Sequence, residues 1–149
     1  GAGYVATSGR RPARRGLALE LGADEALDAT SADLPARVGQ SLDQVVVAAS
    51  NIEVTAEAVQ LVRPGGQLLR FSGYTYGSTL PLDINTVHSR ELHVHGSIDC
   101  TVQDMRRAVG LLPQLQMEQL VTAAFPLDKA VEAFHASKEP EAVKVVLEP

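Results

Sequence analysis

Short runs rich in apolar and β-branched residues alternate with stretches of helical periodicity along the whole sequence, and that alternation restricts the folds open to it. YVATS at residues 4–8 has strand composition. PARRGLALEL at 12–21 spaces Leu17, Ala18 and Leu21 as a helix does, with Pro12 as its start signal and Gly22 as its stop. EALDA at 25–29 is a second short strand, and after the Asp28–Thr30 turn a weak helix is expected over 31–39. DQVVVAAS carries three consecutive valines, Val45 to Val47, the pattern of a strand covered on both faces. NIEVTAEAVQLV at 51–62 is helical, with Val54, Ala58, Leu61 and Val62 on one side. RPGG at 63–66 stops that helix, and QLLRFSG at 67–73 is the next strand. A short helix within 82–91 precedes the strand LHVHGSI at 92–98. Residues 101–115 form a helix with a Val102, Met105, Ala108, Val109 and Leu112 stripe. An extended run at 120–127, a helix from an Asp128 cap and a last strand at 142–149 complete the order. Strand and helix in turn give parallel strands joined by right-handed crossovers, the doubly wound α/β class.

The chain has 149 residues, 45% apolar and 21% charged, a globular composition long enough to bury a core. Its formal net charge is -5, so the surface as a whole does not attract nucleic acid or anionic membrane, and any anion site must be local. One cysteine, Cys100, excludes an internal disulfide and fits a reducing compartment such as the cytoplasm. The longest apolar run, residues 45–49, is too short to span a bilayer, and the N-terminal apolar residues precede the arginines, unlike a signal peptide. A chain that opens at Gly1 with a strand beginning by Tyr4 is expected to be cut from a larger protein.

Ligands of doubly wound sheets bind at the carboxyl ends of the strands. The residues falling there are Ser8 and Gly9, Asp28, Ser50 and Asn51, Ser72 and Gly73, and Ser97 and Ile98. Most are small or polar, which leaves room for a ligand. In dinucleotide folds an acid at the end of the second strand accepts hydrogen bonds from the adenosine ribose, and it repels a 2′-phosphate. Here the corresponding strand ends in Ser8 and Gly9, and no acid follows until Glu20. Arg10 and Arg11 instead offer forked donors suited to a phosphate dianion. The alternative reading makes Arg10, Arg11, Arg14 and Arg15 a solvated cationic helix face.

At these residues the chain resembles the C-terminal part of the medium-chain, zinc-type alcohol dehydrogenase superfamily, in its polyol and threonine dehydrogenase-like branch. The resemblance is carried by RRPARRGLALELGADEALD, EAVQLVRPGGQLLRFSG, LPLDINTVHSRELHVHGSI and FPLDKAVEAFHASKEPEAVKVVLEP. It implies an NAD(P)-dependent oxidoreductase with a Rossmann cofactor sheet, moving a hydride between nicotinamide and an alcohol or ketone. A glycine at position 9 followed by Arg and Pro goes with NADP in that family, whereas an acid there goes with NAD. NADP is therefore favoured over NAD, with Ser8, Gly9, Arg10 and Arg11 at the phosphate. Ser50 and Asn51 are expected near the middle of the cofactor, and Ser72, Gly73 and Ser97 on its nicotinamide side.

The family's glycine-rich loop after the first strand is absent; GAG at residues 1–3 precedes a strand rather than following one. The resemblance thus implies a Rossmann sheet lacking its first strand, over residues 1–120. Residues 121–149 would return to a catalytic domain upstream, which would hold the zinc ligands. Ala123 and Ala124 stand where the family often has a basic residue. The 149 residues alone are expected to be inactive and to bind NADP weakly. A small alcohol or carbonyl substrate and a homo-oligomer follow from the same likeness. Three alternatives remain: a zinc-free quinone or enoyl reductase of the same superfamily, a non-catalytic NADP-binding or subunit-interface module and, more distantly, a methyltransferase.

Other candidates carry less. His93 and His95 alternate on one strand face, and two neighbours do not make the three or four converging ligands that a zinc ion needs. His88 and His135 read as surface or helix-packing residues, Met105 and Met117 as core, and Cys100 as a small apolar filler. No G-x-S-x-G elbow is present.

Overall fold

The computed structural model describes residues 1–31 and 34–149. Its elements in chain order are β1 (Ala6–Gly9), α1 (Pro12–Glu20), β2 (Glu25–Asp28), α2 (Leu34–Val38), β3 (Leu42–Val47), α3 (Ile52–Leu61) and β4 (Val62–Arg70). Then follow α4 (Ile84–Ser89), β5 (His93–Gly96), α5 (Val102–Leu111), β6 (Val121–Pro126), α6 (Ala130–Ala136) and β7 (Lys144–Glu148). The strand and helix alternation expected from sequence is present. Every strand pair is parallel, as the doubly wound class requires: β1 with β2, β3 with β4, β4 with β5, and β6 with β7. Among the described residues β1 pairs with β2 alone and β3 with β4 alone, so each keeps one free edge. Among the described residues no helix is long and apolar enough to cross a membrane.

Two compact units are formed. The first comprises residues 1–31 and 100–149. Here Ala6 lies opposite Glu25 and Gly9 opposite Asp28. Pro12 occupies the first turn of α1, and it confines Arg11, the N-cap, to extended backbone (φ -98, ψ 118). Gly22, at φ +100, stops the helix in the left-handed region that other residues avoid. The Arg14 guanidinium donates to the carbonyl of buried Ala142, tying α1 to the segment before β7.

In this unit α5 opens on a capping box: Thr101 accepts from the Asp104 backbone N–H, and Asp104 accepts from Thr101. Its apolar stripe is exposed, Met105 included, and Met117 in the 3-10 turn at Met117–Leu120 is exposed as well, so neither methionine is core. Cys100 is exposed too and fills no space. Asp128 lies within a 3-10 turn at Leu127–Lys129 rather than capping α6, whose N-cap is Lys129.

The second unit, residues 32–99, is built on β3, β4 and β5. Its core joins Val47, Ala58, Val59, Val62, Leu68 and Leu92, with Val62 and Leu68 nearly inaccessible at 0% and 2%. α3 supplies one side of this core, and Asn51 caps it by accepting from the backbone N–H groups of Glu53 and Val54. Arg90 donates to the carbonyls of Val59 and Val62, where α3 gives way to β4. The expectation of a strand covered on both faces fails for β3. Val47 is buried beneath α3, but Val46, whose side chain points the other way, is 59% exposed. His93 and His95 are also exposed.

RPGG does not interrupt β4 but bulges it. Leu42 lies opposite Val62 while Gln44 lies opposite Gln67, so the extra residues form the bulge. Gly65 takes φ +70, and an added Cβ at Gly66 would lie 2.6 Å from Val62 Cγ1 and 2.9 Å from the Arg63 carbonyl oxygen. Gly66→Ala is expected to destabilise this unit by about 1–3 kcal/mol through that overlap. A lower urea midpoint checks it, and an unchanged midpoint contradicts it.

Candidate functional site

The carboxyl end of β1 turns directly into α1, and the turn concentrates positive charge. Thr7, Ser8, Gly9, Arg10, Arg11, Arg14, Arg15 and Ala18 line an open pocket of about 360 Å³. Four of these eight residues are arginines in a chain of net charge -5, so the pocket is a local reversal of the overall field. Two of the four are engaged within the protein. Arg14 donates to the Ala142 carbonyl, and Arg15 Nη1 donates to the Gly9 carbonyl at 2.9 Å while Nη2 pairs with Asp28 Oδ2 at 3.0 Å. Among the described residues no hydrogen bond or ion pair engages the guanidinium of Arg10 or Arg11. Both side chains are exposed, with their forked donors free.

Gly9 is not required by its backbone or by crowding. Its φ is not left-handed, and a Cβ built there meets nothing within 4 Å. The consequence of glycine is therefore chemical: no side chain, and no carboxylate, enters the pocket from the strand end.

Asp28 is the acid of this corner. Its Oδ1 accepts from the Thr30 backbone N–H at 2.9 Å and from the Thr30 hydroxyl at 2.7 Å. The Thr30 hydroxyl and then its N–H hold the Asp28 carboxyl below the usual carboxylate range, with a smaller contribution from Arg15, against slight desolvation.

The other candidates lie in the second unit, at the carboxyl ends of β3, β4 and β5. Ser50, Asn51, Gly73 and Ser97 are exposed and Ser72 is half-buried. Asn51 spends its side-chain oxygen on the α3 cap, and its carbonyl accepts from the Tyr74 hydroxyl at 3.1 Å. Tyr74 also bonds the Thr55 hydroxyl. The Ser72 hydroxyl donates to the Ala48 carbonyl, and the Ser97 N–H donates to the Arg70 carbonyl at 3.1 Å. Asn51 and Ser72 are thus anchored to backbone rather than poised freely.

Sequence reading passed over two groups here. Arg70 donates to the Val47 carbonyl at 2.8 Å and stacks 3.8 Å above the Tyr74 ring. A lone arginine ending an apolar strand, with a tyrosine four residues on, is the only trace either leaves in the sequence. His93 and His95 stack with ring centroids 6.2 Å apart, and among the described residues no group of three or more His, Cys, Asp or Glu is placed to hold a metal.

The family model described as zinc-binding dehydrogenase matches residues 1–114. D-arabitol-phosphate dehydrogenase of Enterococcus avium is 28% identical over 142 residues, covering 91% of this chain and 40% of that protein. The chain therefore spans about two-fifths of the length of this relative. Two solved structures, both described as zinc-binding dehydrogenases, share the fold. One, from Clostridium scindens, has a TM-score of 0.92 at 22% identity, covering 100% of this chain and 44% of that one. The other, from Sinorhizobium meliloti 1021 and bound to NADP, has a TM-score of 0.91 at 24% identity, covering 100% and 46%.

Because its pKa is lowered in the folded chain, Asp28 contributes stability that is fully present above the ordinary aspartate range and lost as pH falls through the lower folded value. Thr30→Val, which removes the largest cause, is expected to raise the Asp28 pKa towards the ordinary value. Carboxyl carbon NMR across an acid titration checks this; an unmoved midpoint contradicts it.

Proposed function

The chain belongs to the zinc-binding dehydrogenase family, and from that premise we propose that it is the cofactor-binding part of an oxidoreductase. The reaction is hydride transfer between NADP and a small alcohol or ketone. One observation carries the cofactor choice: among the described residues nothing pairs with Arg10 or Arg11, which stand beside a strand end that bears no carboxylate.

NADP differs from NAD by one phosphate on the adenosine ribose. That group needs donors with positive charge and an absence of nearby free acids. A hydrogen bond to a charged group contributes roughly 1.5–3 kcal/mol, so even one such contact favours NADP by about tenfold or more. Ser8 and Gly9 complete the phosphate side. Ser50, Asn51, Ser72, Gly73 and Ser97 are assigned to the rest of the cofactor by their place at strand carboxyl ends.

When bound, the nicotinamide supplies the hydride chemistry, and this chain's residues bind and orient it. We assign the catalytic zinc and the substrate pocket to a further domain, since the relatives are more than twice this chain's length. Residues 1–120 then form the cofactor domain and 121–149 the segment that joins the further one; the family match ending at 114 and the separate β6–β7 sheet support that division. The free edges of β1 and β3 suit a sheet whose first strand lies elsewhere. The family description favours this reading over a zinc-free reductase. A single free cysteine supports a cytoplasmic setting, and β5, which among the described residues pairs with β4 alone, supports a homo-oligomer.

The test is cofactor preference in the complete enzyme. kcat/KM is expected to favour NADP over NAD by on the order of 10- to 100-fold, and Arg11→Ala is expected to remove about tenfold of that. Gly9→Asp, which the open space at position 9 admits without a clash, is expected to reverse the preference. An enzyme that prefers NAD from the outset contradicts the proposal.

A further inference from the structure

The phosphate corner contains an acid that sequence order hides. No acid lies between Gly9 and Glu20 along the chain, yet the parallel ladder sets Asp28 directly opposite Gly9. A free carboxylate in this corner would compete for Arg10 or Arg11 and repel a phosphate dianion. Both oxygens of Asp28 are instead engaged within the protein. Thr30 holds Oδ1 through two hydrogen bonds, and Arg15 Nη2 holds Oδ2 at 3.0 Å.

The same guanidinium also donates from Nη1 to the Gly9 carbonyl at 2.9 Å, so one side chain ties the acid to the turn. The Arg15 side chain is 20% exposed and lines the pocket; the Asp28 side chain does not line it. Arg15 thus contacts the acid directly and lines the same pocket as the two free arginines.

We propose that Arg15 is a positioning residue for 2′-phosphate recognition. It bridges Asp28 and the Gly9 carbonyl and so keeps Arg10 and Arg11 unpaired for a phosphomonoester. This role rests on the NADP reading above, and it differs from phosphate contact: removing Arg15 harms binding through the released Asp28, so removing Asp28 as well repairs it. Simple loss of one positive charge would show no such repair.

The experiment titrates the complete enzyme with adenosine 2′-monophosphate, and with adenosine as control, followed by calorimetry. Wild type is expected to bind the phosphorylated ligand more tightly than adenosine. Arg15→Ala is expected to weaken the phosphorylated ligand about three- to tenfold with little change for adenosine. Arg15→Ala combined with Asp28→Asn is expected to return to within about twofold of wild type, since the released charge is gone. Where the alanine variant does not fold, Arg15→Lys, which keeps the charge but cannot bridge both acceptors, is expected to show a smaller loss with the same rescue.

A wild-type preference with no rescue by Asp28→Asn, or with no effect of Arg15→Ala, overturns the role of Arg15 alone. Equal weakening of both ligands does the same, since it marks a general structural effect. A wild type that binds both ligands equally overturns the NADP reading, and this role with it.

Discussion

A phosphate dianion is held at the surface of an acidic protein only where cations outnumber the local acids and are not already paired with them. This chain carries a net charge of -5, so the condition must be met within a few ångströms. The turn after β1 meets it by division of labour. Arg14 and Arg15 are committed to Ala142, Gly9 and Asp28, and that commitment leaves Arg10 and Arg11 uncommitted. Four solvated arginines on a helix would have formed only a diffuse cationic face. Here two are structural and two are available.

The fold delivers the arrangement through simple constraints. Pro12 ends the extended backbone of Arg11 and starts α1 at once, so Arg10 and Arg11 fall on the turn and Arg14 and Arg15 on the first helical turns. The β1–β2 register then brings Asp28 across from Gly9, and the Asp28–Thr30 turn fixes which way its carboxylate faces. In the second unit, the Asn51 cap and the Arg90 contacts hold both ends of α3 over the Val62 and Leu68 core. That core supports the strand ends where the Tyr74 hydroxyl reaches Asn51 and the Ser72 hydroxyl reaches Ala48.

Local periodicity made the elements legible in the sequence: the Pro12 start, the Gly22 stop and the β-branched run at Val45 to Val47 each fell inside or beside the element expected. The arginine turn was legible too, since neighbours in sequence carry its chemistry. The pairing of Asp28 with Arg15 was not, because it depends on ladder register between strands nearly twenty residues apart. For the same reason Arg70 and Tyr74 went unnoticed; their stacking depends on side-chain direction at the end of β4. Burial was the least legible property. Met105, Met117 and Val46 have core chemistry yet stand exposed, because hydrophobic pattern states which face seeks cover and not whether this chain supplies it. RPGG was read as a helix stop, and the structure uses it as a bulge that lengthens β4.

The proposed reading is a hydride transfer, and within it the arginine turn is the part of this chain that distinguishes the two nucleotides. The most direct measurement is the 31P resonance of the ribose 2′-phosphate of bound NADP, followed across its second ionisation. Two free guanidiniums at that group favour the dianion, so its pKa is expected to fall on binding, and to fall less in the Arg10→Ala and Arg11→Ala proteins. A 2′-phosphate that titrates when bound as it does in free solution would contradict the account.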